Sequence, residues 1–412
     1  MSVLQNYLGV NEVSEMKDSG FQWIGMIPAN WKCERGKYIL EYIQKPIKEN
    51  DGVITCFRDG EVTLRSKRRE DGFTMADKEI GYQGIDVGDL VVHGMDGFAG
   101  AIGISDSRGK ASPVLNVLDT KQNKKYIMYF LRSMAYNNVF LALATGIRVR
   151  SCDLRWNKLA ELYYPVPSLD EQNRIVEFLD AKCTETDILT KNIQAEIYTL
   201  EEYRMSIINE VMMYGINGKG KHKEVRFKYI ATVKSNLVPP TFYLEYPQVS
   251  PENIAKNTGK LLSYSTVEDS GIISGNHLFY KGQIIYSKIR PNLNKAIIAS
   301  FDGLCSADMY PIEAKINSKY LLYAMLSKHF VEQVTLIMQD RVKMPKINQD
   351  ELGNIRVYVA PAMEQKEIVL YLDKKCAEID SIIETKKQQL TVLDEYKKTI
   401  IYEYVTGKKE VV

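Results

Sequence analysis

A chain of 412 residues is too long for one ordinary domain and fits two or three. With 45% apolar and 26% charged residues it matches a water-exposed globular protein, and a net charge of only +2 excludes a uniformly basic nucleic-acid binder. There is no run of about 18 apolar residues to span a membrane. Met1 to Asn6 lacks a basic stretch leading into an apolar core, and Cys33, Cys56, Cys152, Cys183, Cys305 and Cys376 are scattered, which together predict a cytoplasmic chain with reduced thiols and no secretory leader.

In chain order, the first organised signal is Gly88-Asp89-Leu90-Val91-Val92, a turn followed by a buried strand. Lys124 to Phe140 reads as an amphipathic helix. Pro165 and Pro167 stand just ahead of residues 171–213, which lack Pro and Gly and predict one long helix. Gly215-Ile216-Asn217-Gly218-Lys219-Gly220-Lys221 is a flexible link. The same series then returns: Gly282-Gln283-Ile284-Ile285-Tyr286 as turn and strand, Ser318 to Met338 as helix, Pro361, and a second long helix over 364–406. The predicted boundaries are 1–165 for a first globular domain with its N-terminal segment and 166–217 for a first long helix. A second globular domain follows over 218–360, and a second long helix over 361–412.

The return is a duplication. Glu171-Gln172, Ile175-Val176, Leu179-Asp180, Lys182-Cys183, Asp187 and Glu202-Tyr203 recur at an offset of 193 as Glu364-Gln365, Ile368-Val369, Leu372-Asp373, Lys375-Cys376, Asp380 and Glu395-Tyr396. Weaker matches run upstream: Arg148-Val149 with Arg341-Val342, Tyr126 and Tyr129 with Tyr320 and Tyr323, and Lys37-Tyr38-Ile39 with Lys228-Tyr229-Ile230. Helical parts stayed alike while globular parts diverged. Along each helix the positions Leu179, Cys183, Thr186, Thr190, Ile193, Ile197, Leu200, Arg204, Ile207 and Val211, and likewise Leu372, Cys376, Ile379, Ile383, Lys386, Leu390, Leu393, Lys397, Ile400 and Tyr404, form a heptad-like seam. A rod of about 43 residues extends roughly 65 Å. Two equal units predict approximate two-fold symmetry, antiparallel helices, and an N-terminus near the end of the second helix.

Catalytic patterns fail. Phe98-Ala99-Gly100-Ala101-Ile102-Gly103 lacks the G-x-G step and the following acidic strand of the glycine-rich loop of S-adenosylmethionine enzymes, and Pro239-Pro240-Thr241-Phe242 lacks the Asn or Asp of an adenine methyltransferase. Glu313-Ala314-Lys315 with Asp302 or Asp308 leads into a helix rather than a nuclease site. No phosphate-binding glycine loop exists, and His93, His222, His277 and His329 do not cluster with metal-ligand spacing. Tyr126, Tyr129, Tyr320 and Tyr323 have core spacing, and Cys183 and Cys376 read as small seam fillers.

This layout resembles the specificity subunit of type I restriction–modification systems over nearly the whole chain. Lys17–Trp31 is similar to that family's opening segment, Pro167–Gln172 and Pro361–Gln365 to the approach to its long helices, and Thr145–Arg150 to the end of its recognition domains. The second Pro-to-Glu approach is one residue shorter, and the opening segment has only a remnant around Lys228 in the second half.

The resemblance implies an α+β fold: two globular mixed α/β target recognition domains separated by two long antiparallel helices, in an internal pseudo-two-fold repeat. It implies a non-catalytic subunit that reads a bipartite, asymmetric target in double-stranded DNA. Two methyltransferase subunits would dock on it, and restriction subunits would join them. The chain itself would hold no metal or cofactor, with S-adenosylmethionine, ATP and Mg on the partner subunits. The competing readings are a stand-alone DNA-modifying enzyme and a coiled-coil interaction scaffold that reads no DNA.

If DNA is the ligand, base edges call for Arg, Lys, Asn or Gln, and phosphates call for basic groups. From Ser270 to Phe301 there are cations and no acid. There, Lys288, Arg290, Asn292, Asn294 and Lys295 lie on a Pro-interrupted loop after a buried strand, with a solvated loop as the alternative. The first-domain counterpart, His93 to Phe98, carries no Arg or Lys. Arg148, Arg150 and Arg155 in the first domain and Arg341, Lys343 and Lys346 in the second recur together, with pairing to helix acids as the alternative. Arg65, Lys67, Arg68 and Arg69 form a further basic run.

Overall fold

The computed structural model describes residues 15–68, 80–143, 154–218, 221–339, 341 and 345–411. The chain divides into two compact units, one of residues 1–192 with 389–412, the other of residues 193–388.

In the first unit an antiparallel sheet runs in the order Leu40–Tyr42, Leu115–Thr120, Leu90–His93, Ile102–Ile104. In the second unit the order is Ala231–Val233, Met309–Ala314, Ile284–Ser287, Ala296–Ile298. The topology is the same. Its central strands carry the continuous apolar runs because both faces are covered: Leu90, Val91, Val92, Ile284, Ile285 and Tyr286 are fully buried. Each is preceded by a glycine in the left-handed region, Gly88 (φ +86°) and Gly282 (φ +89°), where a side chain would strain the turn. A second pairing closes each unit, Lys32–Arg35 with Tyr163–Val166 and Lys223–Arg226 with Arg356–Val359.

The two amphipathic helices are each broken. Lys124–Tyr136 stops and Val139–Ala142 resumes, because Asn138 turns left-handed (φ +57°). Ser318–Leu326 and Lys328–Met338 are separated by Ser327, whose extended backbone and hydroxyl cap the second piece at the Phe330 N–H. Neither break is signalled by Pro or Gly.

The long helices are Leu169–Tyr214 and Ala362–Val405, of 46 and 44 residues. Within the first unit the early part of one packs antiparallel to the end of the other. The rings of Phe178 and Tyr404 meet at a tilt with centroids 4.4 Å apart, and Asp187 pairs with Lys397 at 2.6 Å. Within the second unit Glu196 pairs with Lys386, and Arg204 meets Asp380 at 3.3 Å. The seam is as expected: Leu179, Cys183, Thr186, Leu372, Cys376, Ile379, Ile383 and Ile400 are buried, while Thr190, Ile193, Ile197, Leu390 and Leu393 are half-buried. Burial raises the Cys183 and Cys376 thiols, so these sulfurs stay protonated and apolar.

The repeated motif residues clamp each globular part to its helices. The Gln172 carbonyl accepts from the Asn123 N–H at 2.9 Å while its amide donates to the Pro167 carbonyl at 2.9 Å. Gln365 accepts from the Asn317 N–H at 3.2 Å and donates to the Ala360 carbonyl at 2.9 Å. Tyr129 donates to Asp180 at 2.8 Å, and Tyr323 to Asp373 at 2.6 Å. Tyr126, Tyr129, Tyr320 and Tyr323 are thus core residues, and the hydroxyls of Tyr129 and Tyr323 tie the short helices to the long ones.

The N-terminal segment packs on the end of the second long helix, as the repeat implied. Ile24, Ile27 and Trp31 share a core with Ile400, Ile401 and Val405. The Lys408 ammonium donates to the Ile24 carbonyl at 2.6 Å, and Trp31 Nε1 donates to Glu171 at 3.0 Å.

Arg204 and Lys397 occupy equivalent positions but unequal surroundings. Arg204 is 5% exposed and also donates to the Asn257 and Thr258 carbonyls at 3.1 Å each. Arg204→Ala strands two carbonyls and leaves Asp380 with Lys260 as its remaining ion-pair partner at 2.7 Å, and is expected to cost about 2 kcal/mol. Lys397→Ala breaks a solvent-screened pair worth roughly 0–1 kcal/mol. Chemical denaturation of the two variants checks the contrast; equal losses would refute it.

Candidate nucleic-acid interface

In the second unit the structure brings two separate candidate groups together. The segment after strand Ile284–Ser287 lies beside residues 345–347: the Arg290 N–H donates to the Pro345 carbonyl, and the Ile347 N–H to the Lys288 carbonyl, both at 2.9 Å. Ile289 and Lys346 form a bridge. Lys288, Arg290 and Lys346 therefore share one edge. The Lys288 ammonium lies 5.2 Å from the centre of the Tyr310 ring. Lys346 pairs with Asp308 at 2.9 Å. Arg290 and Asn292 are exposed. Arg341 pairs with Glu351, a helix acid, and holds that carboxyl below its usual range. Lys295 turns inward to the Pro251 carbonyl at 2.7 Å.

Asn294 requires a correction. It is 1% exposed, and its amide donates to Asn257 Oδ1 at 2.6 Å and to the Met325 carbonyl at 2.7 Å. It shapes the loop and does not present itself to a ligand. Asn257, its partner, was not singled out from sequence; the signal was the turn-forming Asn257-Thr258-Gly259. His277 lies nearby on strand Asn276–Phe279; burial, then the Lys288 charge, depresses its basicity and keeps the ring neutral.

In the first unit the equivalent geometry recurs with different chemistry. The Leu154 N–H donates to the Gly94 carbonyl at 2.8 Å, matching Ile347 and Lys288. The short 3-10 turn Gly97–Ala99 begins after Asp96, where Pro291–Leu293 begins after Arg290. Asp96 accepts from Arg58 at 2.8 Å, and His93 accepts from the Met95 and Asp96 N–H groups; burial keeps that imidazole neutral. Arg155 is exposed at the start of helix Trp156–Glu161. Arg69, Arg148, Arg150 and Lys343 lie outside the described residues.

The basic run is heavily paired. The Arg65 Nε donates to Thr55 at 2.9 Å. Lys67 reaches Ser107 at 2.7 Å and Asp106 at 3.3 Å. Arg68 stacks on Phe57 at 4.0 Å and pairs with Asp59 and Glu61 at 2.7 Å each. Its hydrogen bond to Asp59 raises its basicity further. Exposed pairs of this kind are worth roughly 0–1 kcal/mol, so phosphates can exchange for the acids.

No cluster of His, Cys, Asp and Glu suited to a metal occurs among the described residues, and no helix there is long and apolar enough to cross a membrane. The Phe98–Gly103 and Pro239–Phe242 segments form ordinary turns and strand, and Glu313 pairs with Lys234.

Against known families, residues 32–199 and 219–392 each match the type I restriction modification DNA specificity domain. The chain belongs to this family. The two matches coincide with the two copies of the repeat. Its relatives include the EcoDI type I restriction enzyme specificity subunit of Escherichia coli, 30% identical over 62% of this chain; the match spans 64% of that relative's length. The MjaX type I restriction enzyme specificity subunit of Methanocaldococcus jannaschii is 21% identical over 93% of this chain and 95% of its own. A chain from a structure on complex assembly and conformational transition of the type I R-M system aligns with a TM-score of 0.68 over 92% of this chain and 98% of its own. At 14% identity that likeness establishes the fold. Two mixed α/β globular parts, each followed by a long helix in an internal repeat, are the family's architecture.

If the basic run meets phosphates, Asp59→Asn with Glu61→Gln frees Arg68. Duplex affinity should then rise a few-fold, with a salt dependence steeper by about one unit of slope. An unchanged slope in a salt titration would place this segment away from DNA.

Proposed function

We propose that this chain is the non-catalytic, DNA-reading subunit of a type I restriction–modification complex. Each unit's globular part reads one half of a bipartite, asymmetric duplex target. The observation that carries the reading is where the repeat is kept and where it is lost. The anchors Gln172/Gln365, Asp180/Asp373 and Tyr129/Tyr323 make the same bonds in both units. The edge loops carry opposite charge, Arg290 against Asp96. Two like scaffolds with unlike loops suit a target whose halves differ. Lys288, Arg290, Asn292, Lys346 and Arg341 in one unit, and Arg65, Lys67, Arg68, Arg69, Arg148, Arg150 and Arg155 in the other, are the proposed contact set, with Lys343 and Lys295 flanking.

The helices serve as spacer and dock. Tyr203 and Tyr396 are equivalent and stay 56% and 45% exposed. Tyr396 lies beside Lys182, which pairs with Glu185 at 2.9 Å; Tyr203 lies beside Lys375, which pairs with Glu378 at 3.0 Å. Two equal patches favour two methyltransferase subunits, which would carry S-adenosylmethionine, while restriction subunits would bring ATP and Mg. The assembly would work in the cytoplasm.

The chain with its methyltransferase subunits should protect and methylate a split duplex site; modification without sequence preference would end this reading. Methyl transfer or cleavage by the chain alone would favour a stand-alone enzyme. Inserting one heptad into residues 185–205 lengthens the rod by about 10 Å, so the half-sites should move apart by about three base pairs. Unchanged spacing in the methylated motif would exclude the spacer role.

A further inference from the structure

Among the described residues, Asn138, Asn257, Arg290 and Asn294 are the non-glycine residues with left-handed backbone. Three of these meet at one place. Arg290 (φ +42°) and Asn294 (φ +43°) bracket the turn Pro291–Leu293, and Asn257 (φ +49°) bonds to Asn294 through both backbone and side chain. Asparagine enters this region easily; arginine does not. Burial of Pro291 explains the turn but not the arginine, because glycine or asparagine would take the same backbone with less strain. Strain of this kind persists only where the surroundings fix it, and it gathers at functional positions. Here the fixing is explicit. The Arg290 N–H is held by the Pro345 carbonyl, the Ser287 hydroxyl donates to the Ile289 carbonyl at 3.1 Å, and the buried Asn294 amide is held by Asn257 and Met325. Asn292 stands exposed in the turn itself.

The side chain of Arg290 is the exposed product of this arrangement. Arg68, Arg341 and Lys346 spend their charge on acids of their own unit. Arg290 makes no ion pair with a described residue. Rigid backbone, exposed guanidinium and flanking cations Lys288 and Lys346 are what forked recognition of a paired acceptor requires: orientation fixed in advance, and charge left unspent. In a duplex major groove, guanine offers that acceptor pair at O6 and N7. In the first unit the equivalent position is Asp96, which can only accept hydrogen bonds when ionised and so cannot serve this base.

Resting on the DNA-reading function above, we propose that Arg290 reads a guanine in the half-site of the second unit, with Asn257 and Asn294 as positioning residues that hold the loop. The test is motif mapping by methylation, together with duplex binding across salt, for the chain assembled with its methyltransferase subunits. Arg290→Gly keeps the backbone conformation and removes the side chain, so folding is not at risk. It should relax one G·C position of one half-site, with roughly 10- to 100-fold loss on the cognate duplex and little change on unrelated duplex. Arg290→Lys should retain part of the preference. Asn294→Gly should relax the same base pair. An unchanged motif in Arg290→Gly, or a uniform loss on all duplexes with a salt slope lower by about one, would overturn the proposal in favour of a phosphate contact or none. A wild-type chain that selects no motif would overturn both this proposal and the reading it rests on.

Discussion

The carboxamide of Gln172, and its repeat Gln365, is the joint on which each unit depends. A glutamine amide both donates and accepts, so one side chain can satisfy the N–H that opens the short helix and the carbonyl that precedes the long one. Both glutamines are buried, where an unmet polar group is costly. Replacing either would therefore leave a donor and an acceptor stranded in the core. Asp180 and Asp373 add a second fixing point two turns along, accepting from Tyr129 and Tyr323. Two anchors on one face thus tie the globular part to its helix at two points.

The joint explains which parts of the repeat stayed alike. Side chains that make the anchor bonds cannot change one at a time, since each answers a buried partner. At the tips of the edge loops the side chains are less bound: Arg290 makes no ion pair with a described residue, and Asp96 pairs with the exposed Arg58. Arg290 and Asp96 lie at corresponding turns with opposite charge, and neither substitution disturbs the sheet beneath, whose strand order is the same in both copies. Family membership and this division of labour agree: the matched domains repeat, and the divergence sits where a specificity domain must vary.

Much of this was legible because periodicity and spacing report buried faces. The 193-residue offset located the anchors before their bonds were visible, and the seam positions Leu179, Cys183 and Ile383 are buried as their spacing demanded. Other features were hidden. Asn138 and Ser327 break their helices through local hydrogen bonding and backbone preference that compete only weakly in sequence. Asn294 reads as a polar loop residue, yet tertiary contacts to Asn257 and Met325 draw it inside. Cationic residues were easy to find, but their partners were not: Arg68 and Lys346 face acids distant or unremarkable in sequence.

The two units differ in one respect that their similar folds conceal. Residues 193–388 form the second unit from one continuous stretch, whereas the first needs residues 389–412 to complete it. Its core joins Ile24, Ile27 and Trp31 to Ile400, Ile401 and Val405. These partners are distant in sequence: Lys408 and Ile24, which share a hydrogen bond, are 384 residues apart. Closure over so long a separation carries a larger loop-entropy cost than any contact inside residues 193–388, so the first unit is expected to close later, with Ile24 and Trp31 uncovered in the meantime. The far end of the second long helix thus acts as a distant clasp: without residues 389–412 the second unit would keep its whole segment, while the first would leave its apolar surface open to chaperones and proteases.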